Sequence, residues 1–64
     1  MLFKEDLENF IFALNIVIIK QRSIVNNMKA SDNPLMQGMV VHAERKLRSL
    51  EDSKASAIKY KDIL

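Results

Sequence analysis

The chain has 64 residues, of which 48% are hydrophobic and 28% are charged, with one glycine, one proline and no cysteine. A core built from so few residues supplies only a few kcal/mol, so natural proteins of this size add disulfides, a metal or a partner. The absence of cysteine excludes disulfides and thiolate metal sites, which leaves oligomerisation or another protein. The formal net charge of +2 is mild beside that of dedicated nucleic-acid-binding proteins.

Three features of the sequence predict a soluble, cytoplasmic protein. The longest uncharged run, from Asn9 to Ile19, is shorter than the roughly 20 residues that a transmembrane helix requires. This run follows the acidic residues Glu5, Asp6 and Glu8, whereas a secretory signal begins with a basic region. A chain without cysteine also suits a reducing compartment.

The first predicted element is a helix over residues 3–30. Its apolar side chains alternate four and three positions apart, which is a heptad pattern. The pattern consists of Phe3, Leu7, Phe10, Leu14, Val17, Ile24 and Met28, with Gln21 as its polar member. Ile11, Ile18 and Val25 lie beside the pattern and widen it into the face of a bundle helix.

A break is predicted at residues 31–33, followed by a second helix over residues 34–62. Asn33 suits the N-cap position and Pro34 suits the first helical position, where its missing N–H is not needed. The apolar pattern of this helix is strong from Met36 to Leu50. Lysines dilute it further on, at positions 54 and 61.

Two long helices joined by a short turn predict an all-α, antiparallel two-helix hairpin that forms one domain over residues 1–64. A lone hairpin leaves half of each apolar pattern in water. Pairing two hairpins into a coiled-coil-like four-helix bundle buries it, so we predict a homodimer, with another protein's helices as the alternative. The predicted oligomer core comprises Leu7, Phe10, Leu14, Val17, Ile24, Leu47 and Leu50.

We predict no enzymatic activity, no catalytic residue, no cofactor and no metal. Such sites require several polar groups that converge in a pocket. The single histidine, His42, lies two residues from Glu44, on a different part of the helix surface. Gly38 stands alone, so the sequence contains no phosphate-binding glycine-rich loop.

A second apolar surface on the first helix is the predicted partner-binding site. At about 100° per residue, Phe12, Ile16 and Ile19 point away from the direction of Leu7 and Leu14. One bundle core cannot bury both sets. Either a higher oligomer or a wider core covers these residues, or they form a docking surface for another protein, with contact to a membrane surface as a third interpretation.

Basic side chains form a second candidate surface. In an antiparallel hairpin the end of the first helix lies beside the start of the second, so these cations approach one another near the turn. Such a cluster indicates either a solvated charged face, interrupted by Glu44, Glu51 and Asp52, or contacts to nucleic-acid phosphates. The cations are Lys20, Arg22, Lys29, Arg45, Lys46 and Arg48.

Two short stretches resemble known families of helical hairpins. His42-Ala43-Glu44 followed by Arg48-Ser49 is similar to the second helix of the Rop family of plasmid copy-number regulators. That resemblance implies a dimer of hairpins that binds paired RNA loops. The turn Asp32-Asn33-Pro34, with the segment Ile58 to Ile63, resembles type III secretion needle subunits. This second resemblance implies assembly into a helical protein polymer.

The sequence as a whole favours a small, non-enzymatic protein–protein interaction module that self-associates. A regulator, an adaptor or a chaperone-like protein fits this description. The compact chain, rich in isoleucine, asparagine and lysine, is typical of a protein encoded by a bacterium, a plasmid or a phage. An RNA- or DNA-binding hairpin and a subunit of a secretion-type assembly remain the alternatives.

Overall fold

The computed structural model describes residues 3–64 as two helices that pack against each other. Helix α1 spans Lys4–Ala30 and helix α2 spans Pro34–Ile63. Within the described range no residue belongs to a strand. The prediction of an all-α helical hairpin is therefore confirmed. Met1 and Leu2, which belong to the predicted domain, lie outside the described residues.

Local hydrogen bonds fix where each helix begins. The backbone N–H of Phe3 donates to the Asp6 carboxylate at 3.2 Å, which satisfies one of the amides left free at the start of α1. Asn33 is the N-cap of α2, and its side-chain Oδ1 accepts a hydrogen bond from Leu35 N–H at 2.9 Å. An Asn cap of this kind stabilises a helix by about 1 kcal/mol relative to Ala.

The turn is held by the side chain of Gln37, in the second turn of α2. Its Nε2 donates to the carbonyl of Lys29 at 3.3 Å and also to the carbonyl of Ser31. The Ser31 N–H donates to the carbonyl of Met28 at 3.2 Å. Carbonyls at the end of α1 thus gain partners that the helix itself cannot supply, and the two helices are joined over the three residues 31–33.

The core is one layer of side chains between the helices. Helix α1 contributes residues spaced seven, four and seven apart, as expected for one helix face. No polar or charged residue is buried in the described part of the chain, and no side chain there is completely enclosed. The buried residues are Leu7, Leu14, Ile18 and Val25 of α1, with Val40, Ala43 and Ala57 of α2.

Gln21 is a polar residue inside this interface. It is half-buried, and its Nε2 donates to the backbone carbonyl of Ala43 at 3.0 Å. A hydrogen-bonded polar side chain in a helix interface fixes the register of the two helices at some expense of stability. The hydrogen bond therefore fixes Ala43 of α2 level with Gln21 of α1.

The hairpin is elongated and exposes much surface. It measures 47 × 15 × 15 Å with a radius of gyration of 14.7 Å, whereas a compact domain of this length has a radius of about 11 Å. The accessible surface is 5003 Å² for a mass of 7.4 kDa. A compact monomer of that mass exposes roughly 4200 Å², so the isolated hairpin exposes about 800 Å² more.

Gly38 lies in α2 where helix geometry places no demand on glycine. A Cβ at this position would meet no heavy atom within 4 Å. Because glycine in a helix is about 1 kcal/mol less favourable than alanine, Gly38→Ala should raise the free energy of unfolding by that amount, measured by urea denaturation. Ala13→Gly on exposed α1 surface is the reverse control. A loss of stability in Gly38→Ala would contradict the open surroundings of Gly38.

Candidate functional site

The surface of α1 that faces away from α2 carries three large apolar residues. Phe12, Ile16 and Ile19 are between 43% and 67% exposed. They are four and three positions apart, so they form one continuous patch on the helix. We call this patch the outer stripe. The structure thus places all three predicted partner-binding residues together on exposed surface.

A second apolar row runs along one side of the contact between the helices. Phe10, Val17 and Ile24 are seven residues apart and between 43% and 51% exposed. We call this row the flank stripe. At 100° per residue its mean direction lies about 130° from that of the outer stripe. The two stripes are therefore separate surfaces of one helix.

The predicted oligomer core divides between the hairpin and its surface. Leu7 and Leu14 are buried between α1 and α2, and Leu47 and Leu50 are half-buried there. The other three predicted core residues are those of the flank stripe, which the hairpin leaves exposed. Their part in an oligomer stays a prediction.

An open groove of about 1090 Å³ lies beside the flank stripe, between Phe10 of α1 and the facing side of α2. Half of its α2 wall consists of small residues, and Arg45, Arg48, Asp52 and Tyr60 form the rest. Ser49, Ser53 and Ser56 are four and three positions apart, with Ala57 beside them and Tyr60 at one end.

The opposite side of the hairpin carries ion pairs. Side-chain nitrogen and oxygen atoms are 3.9 Å apart in Arg22–Glu51, 3.5 Å in Lys29–Glu44 and 3.5 Å in Lys61–Glu8. None of these six residues lines the serine-walled groove. A smaller cleft of about 260 Å³ is lined by both Arg22 and Glu51, which marks the other flank. Each exposed pair adds only about 0.2–1 kcal/mol.

The six cations of the predicted nucleic-acid surface do not form one cluster. Arg22 and Lys29 are engaged in ion pairs. Arg45 and Arg48 line the serine-walled groove together with Asp52. The remaining two, Lys20 and Lys46, are exposed on different helices. Nucleic-acid binding stays a prediction for these residues.

The histidine and carboxylate side chains of residues 3–64 form no group of three or more that could hold a metal ion. Neither described helix is long and apolar enough to span a membrane.

Sequence reasoning missed the serine wall of the groove. Its members lie on α2 at positions 49, 53 and 56, on the same helix as the predicted core residues Leu47 and Leu50. Their spacing of four and three residues is the signal that could have found them, because it places small side chains on one helix face.

Comparison of the chain with models of protein families, with curated proteins and with solved structures finds no match.

Proposed function

We propose that this hairpin is a small, non-enzymatic protein–protein interaction module that self-associates and binds another protein through the outer stripe. A regulator, adaptor or chaperone-like role in the cytoplasm fits such a module. The observation that carries the proposal is the exposure of large apolar side chains on two separate surfaces of α1. Extended apolar patches on small proteins mark interaction surfaces.

The energy available from covering these surfaces supports the proposal. Full burial of a Phe or Ile side chain is worth about 1.5–3 kcal/mol. The outer stripe of Phe12, Ile16 and Ile19 therefore offers a partner several kcal/mol. This amount is large for a hairpin with a single-layer core.

The separation of the two stripes supports two binding events. A neighbouring pair of helices that covers the flank stripe leaves the outer stripe in water, because the two directions differ by about 130°. Self-association into a dimeric four-helix bundle uses the flank stripe. A different protein then binds the outer stripe.

The distribution of charge supports a protein as the partner. The outer stripe is bordered by side chains of both signs, with Glu5 and Glu8 before it and Lys20 and Arg22 after it. A phosphate-binding surface requires clustered cations without nearby acids, and Arg22 and Lys29 already pair with carboxylates. An apolar patch with charges at its ends instead suits a helix of another protein.

Phe12→Asp tests this function. The residue is 67% exposed, so the substitution should leave the helical content of the hairpin unchanged. It places a charge in the middle of the outer stripe and should weaken partner binding by about 30-fold or more, as loss of a hot-spot residue does. The measurement is affinity capture on immobilised wild-type and variant hairpins. Any retained protein is then purified, and its dissociation constant is determined with the wild-type hairpin and with Phe12→Asp.

Asn26→Asp is the matched control, because it adds the same charge at an exposed position of α1 beyond the outer stripe. The proposal predicts a partner that the wild type and Asn26→Asp bind alike and Phe12→Asp does not. If every retained protein binds Phe12→Asp as tightly as the wild type, the outer stripe is not the binding surface.

A further inference from the structure

We propose that a second copy of this chain docks on the flank stripe and the groove, with its α1 lying over α2. The partner's Phe10 then enters the groove beside Ser53 and Ser56. This inference rests on the proposed function, since it assigns the self-association to the flank stripe and the groove. The outer stripe is then left for a different partner.

The spacing of the flank stripe is the first observation. Phe10, Val17 and Ile24 recur every seven residues, so they remain in line along the whole contact between the helices. A row with this repeat fits another helix that runs alongside the hairpin. A small compact ligand would contact only one of these residues, because neighbouring members of the row are about 10 Å apart along the helix.

Side-chain size on the two helices is the second observation. The flank stripe presents large side chains on α1, and the groove wall presents Ser49, Ser53 and Ser56 on α2. Large side chains of one copy fill the space over small side chains of the other when α1 of each copy lies over α2 of its partner. Stacking α1 on α1 instead places large residues against large ones and leaves the groove empty.

A two-fold axis along the length of the hairpin produces this arrangement. Such an axis keeps every residue at the same height, so the partner's Phe10 arrives at the level of the groove that Phe10 itself borders. Both copies then make the same contacts, as an isologous interface requires. All neighbouring helices in the resulting bundle run antiparallel.

The location of the ion pairs agrees with this choice of surface. The pairs Arg22–Glu51, Lys29–Glu44 and Lys61–Glu8 lie away from the groove. Burying them would remove charged groups from water at a considerable cost. Covering the serine-walled side leaves these three pairs in water, and the charged residues that it does cover, Asp6, Arg45, Arg48 and Asp52, are two of each sign.

The area of exposed surface is sufficient for a stable dimer. The hairpin exposes about 800 Å² more than a compact monomer of its mass, given its accessible surface of 5003 Å². A standard interface buries about 800 Å² on each partner. A second copy on one flank would bury an area of this order.

The first test compares two phenylalanines on the same helix. Phe10→Asp should raise the dimer dissociation constant at least about 100-fold, because both copies bring a charge into the interface. Phe12→Asp, two residues away on the outer stripe, should leave the dissociation constant within about threefold of the wild type, since exposed positions tolerate substitution. Sedimentation equilibrium measures both, and circular dichroism verifies that each variant is helical.

A second variant tests the same interface in case Phe10→Asp does not fold. Ser53→Lys fills the groove from an exposed position and leaves the core residues in place. It should also dissociate the dimer. Either variant in a folded state with a wild-type dissociation constant overturns the proposal, as does a wild-type chain that stays monomeric at 100 µM.

Introduced cysteines test which helix lies over which, because the natural chain has none. Gln21 contacts Ala43, and Leu7 shares the groove with Ala57. These pairs place Val17 level with the segment of α2 that contains Ser49. A disulfide forms only when two Cα atoms come within about 7 Å. A mixture of Val17→Cys and Ser49→Cys chains should therefore form the mixed disulfide dimer.

Each cysteine variant alone should remain largely reduced under the same conditions. Residue 17 lies at the middle of α1, so an antiparallel stack of α1 on α1 brings the two copies of residue 17 together. A disulfide dimer formed by Val17→Cys alone would thus overturn the proposed arrangement. The proposed function fails separately, through unchanged partner binding by Phe12→Asp.

Discussion

Leu14→Asp is expected to abolish the folded hairpin. Leu14 is 8% exposed and lies in the single layer of side chains between α1 and α2. Replacing a buried leucine by alanine already destabilises proteins by about 2–5 kcal/mol. Aspartate adds the penalty of a carboxylate buried without a partner. The total exceeds what a core of this size supplies.

Circular dichroism and urea denaturation measure this effect. Leu14→Asp should show little helix at any concentration at which the wild type is folded. Ile19→Asp is the matched control, since it brings the same charge to an exposed position of the same helix. It should remain helical. A cooperative, wild-type-like unfolding transition in Leu14→Asp would contradict the packing described for this interface.

Dilution is expected to destabilise the protein strongly. If the dimer is the folded form, unfolding releases two chains, and mass action lowers the stability of the dimer by about 1.4 kcal/mol for each tenfold dilution. A thousandfold dilution therefore removes about 4 kcal/mol. A core without a completely enclosed side chain has little stability of its own to set against this loss.

Thermal unfolding at several protein concentrations measures the effect. The midpoint should fall steadily as the chain is diluted from 100 µM to 0.1 µM. Phe10→Asp provides the comparison, because a chain that pairs at least about 100-fold more weakly should be less thermally stable than the wild type at every concentration. A wild-type midpoint that is independent of concentration would contradict self-association as a source of stability.

The hairpin itself could be predicted from the sequence because local and periodic signals agree. Asn33 and Pro34 mark the start of a helix by their chemistry, and the structure places the N-cap of α2 at Asn33. The alternation of apolar residues four and three apart identifies α1 before any partner is known. Two long helices with a three-residue connection bury their apolar faces when they turn back on each other.

The orientation of α1 within the hairpin was harder to predict, because its apolar face is about 140° wide. Both Phe10-Val17-Ile24 and Ile11-Ile18-Val25 run along this face. In the structure Ile18 and Val25 are buried against α2, while Phe10 and its row remain exposed. Periodicity identifies a face, and only the docked helix decides which edge of that face it covers.

The groove could not be predicted from apolar patterning because it is defined by small side chains. Ser49, Ser53 and Ser56 carry no apolar signal in the sequence of α2, and only the packing of the helices places Phe10 across from them. The outer stripe is the opposite case. Phe12, Ile16 and Ile19 point away from the core in any helix with this sequence, so their exposure follows from helical geometry alone.

Sedimentation equilibrium of the wild-type chain over a concentration series determines whether one hairpin is half of a bundle. The expected result is a species of twice the chain mass of 7.4 kDa at micromolar concentration, which dissociates reversibly on dilution. A single species of the chain mass up to 100 µM would contradict it, and masses that grow without limit would indicate an open polymer instead.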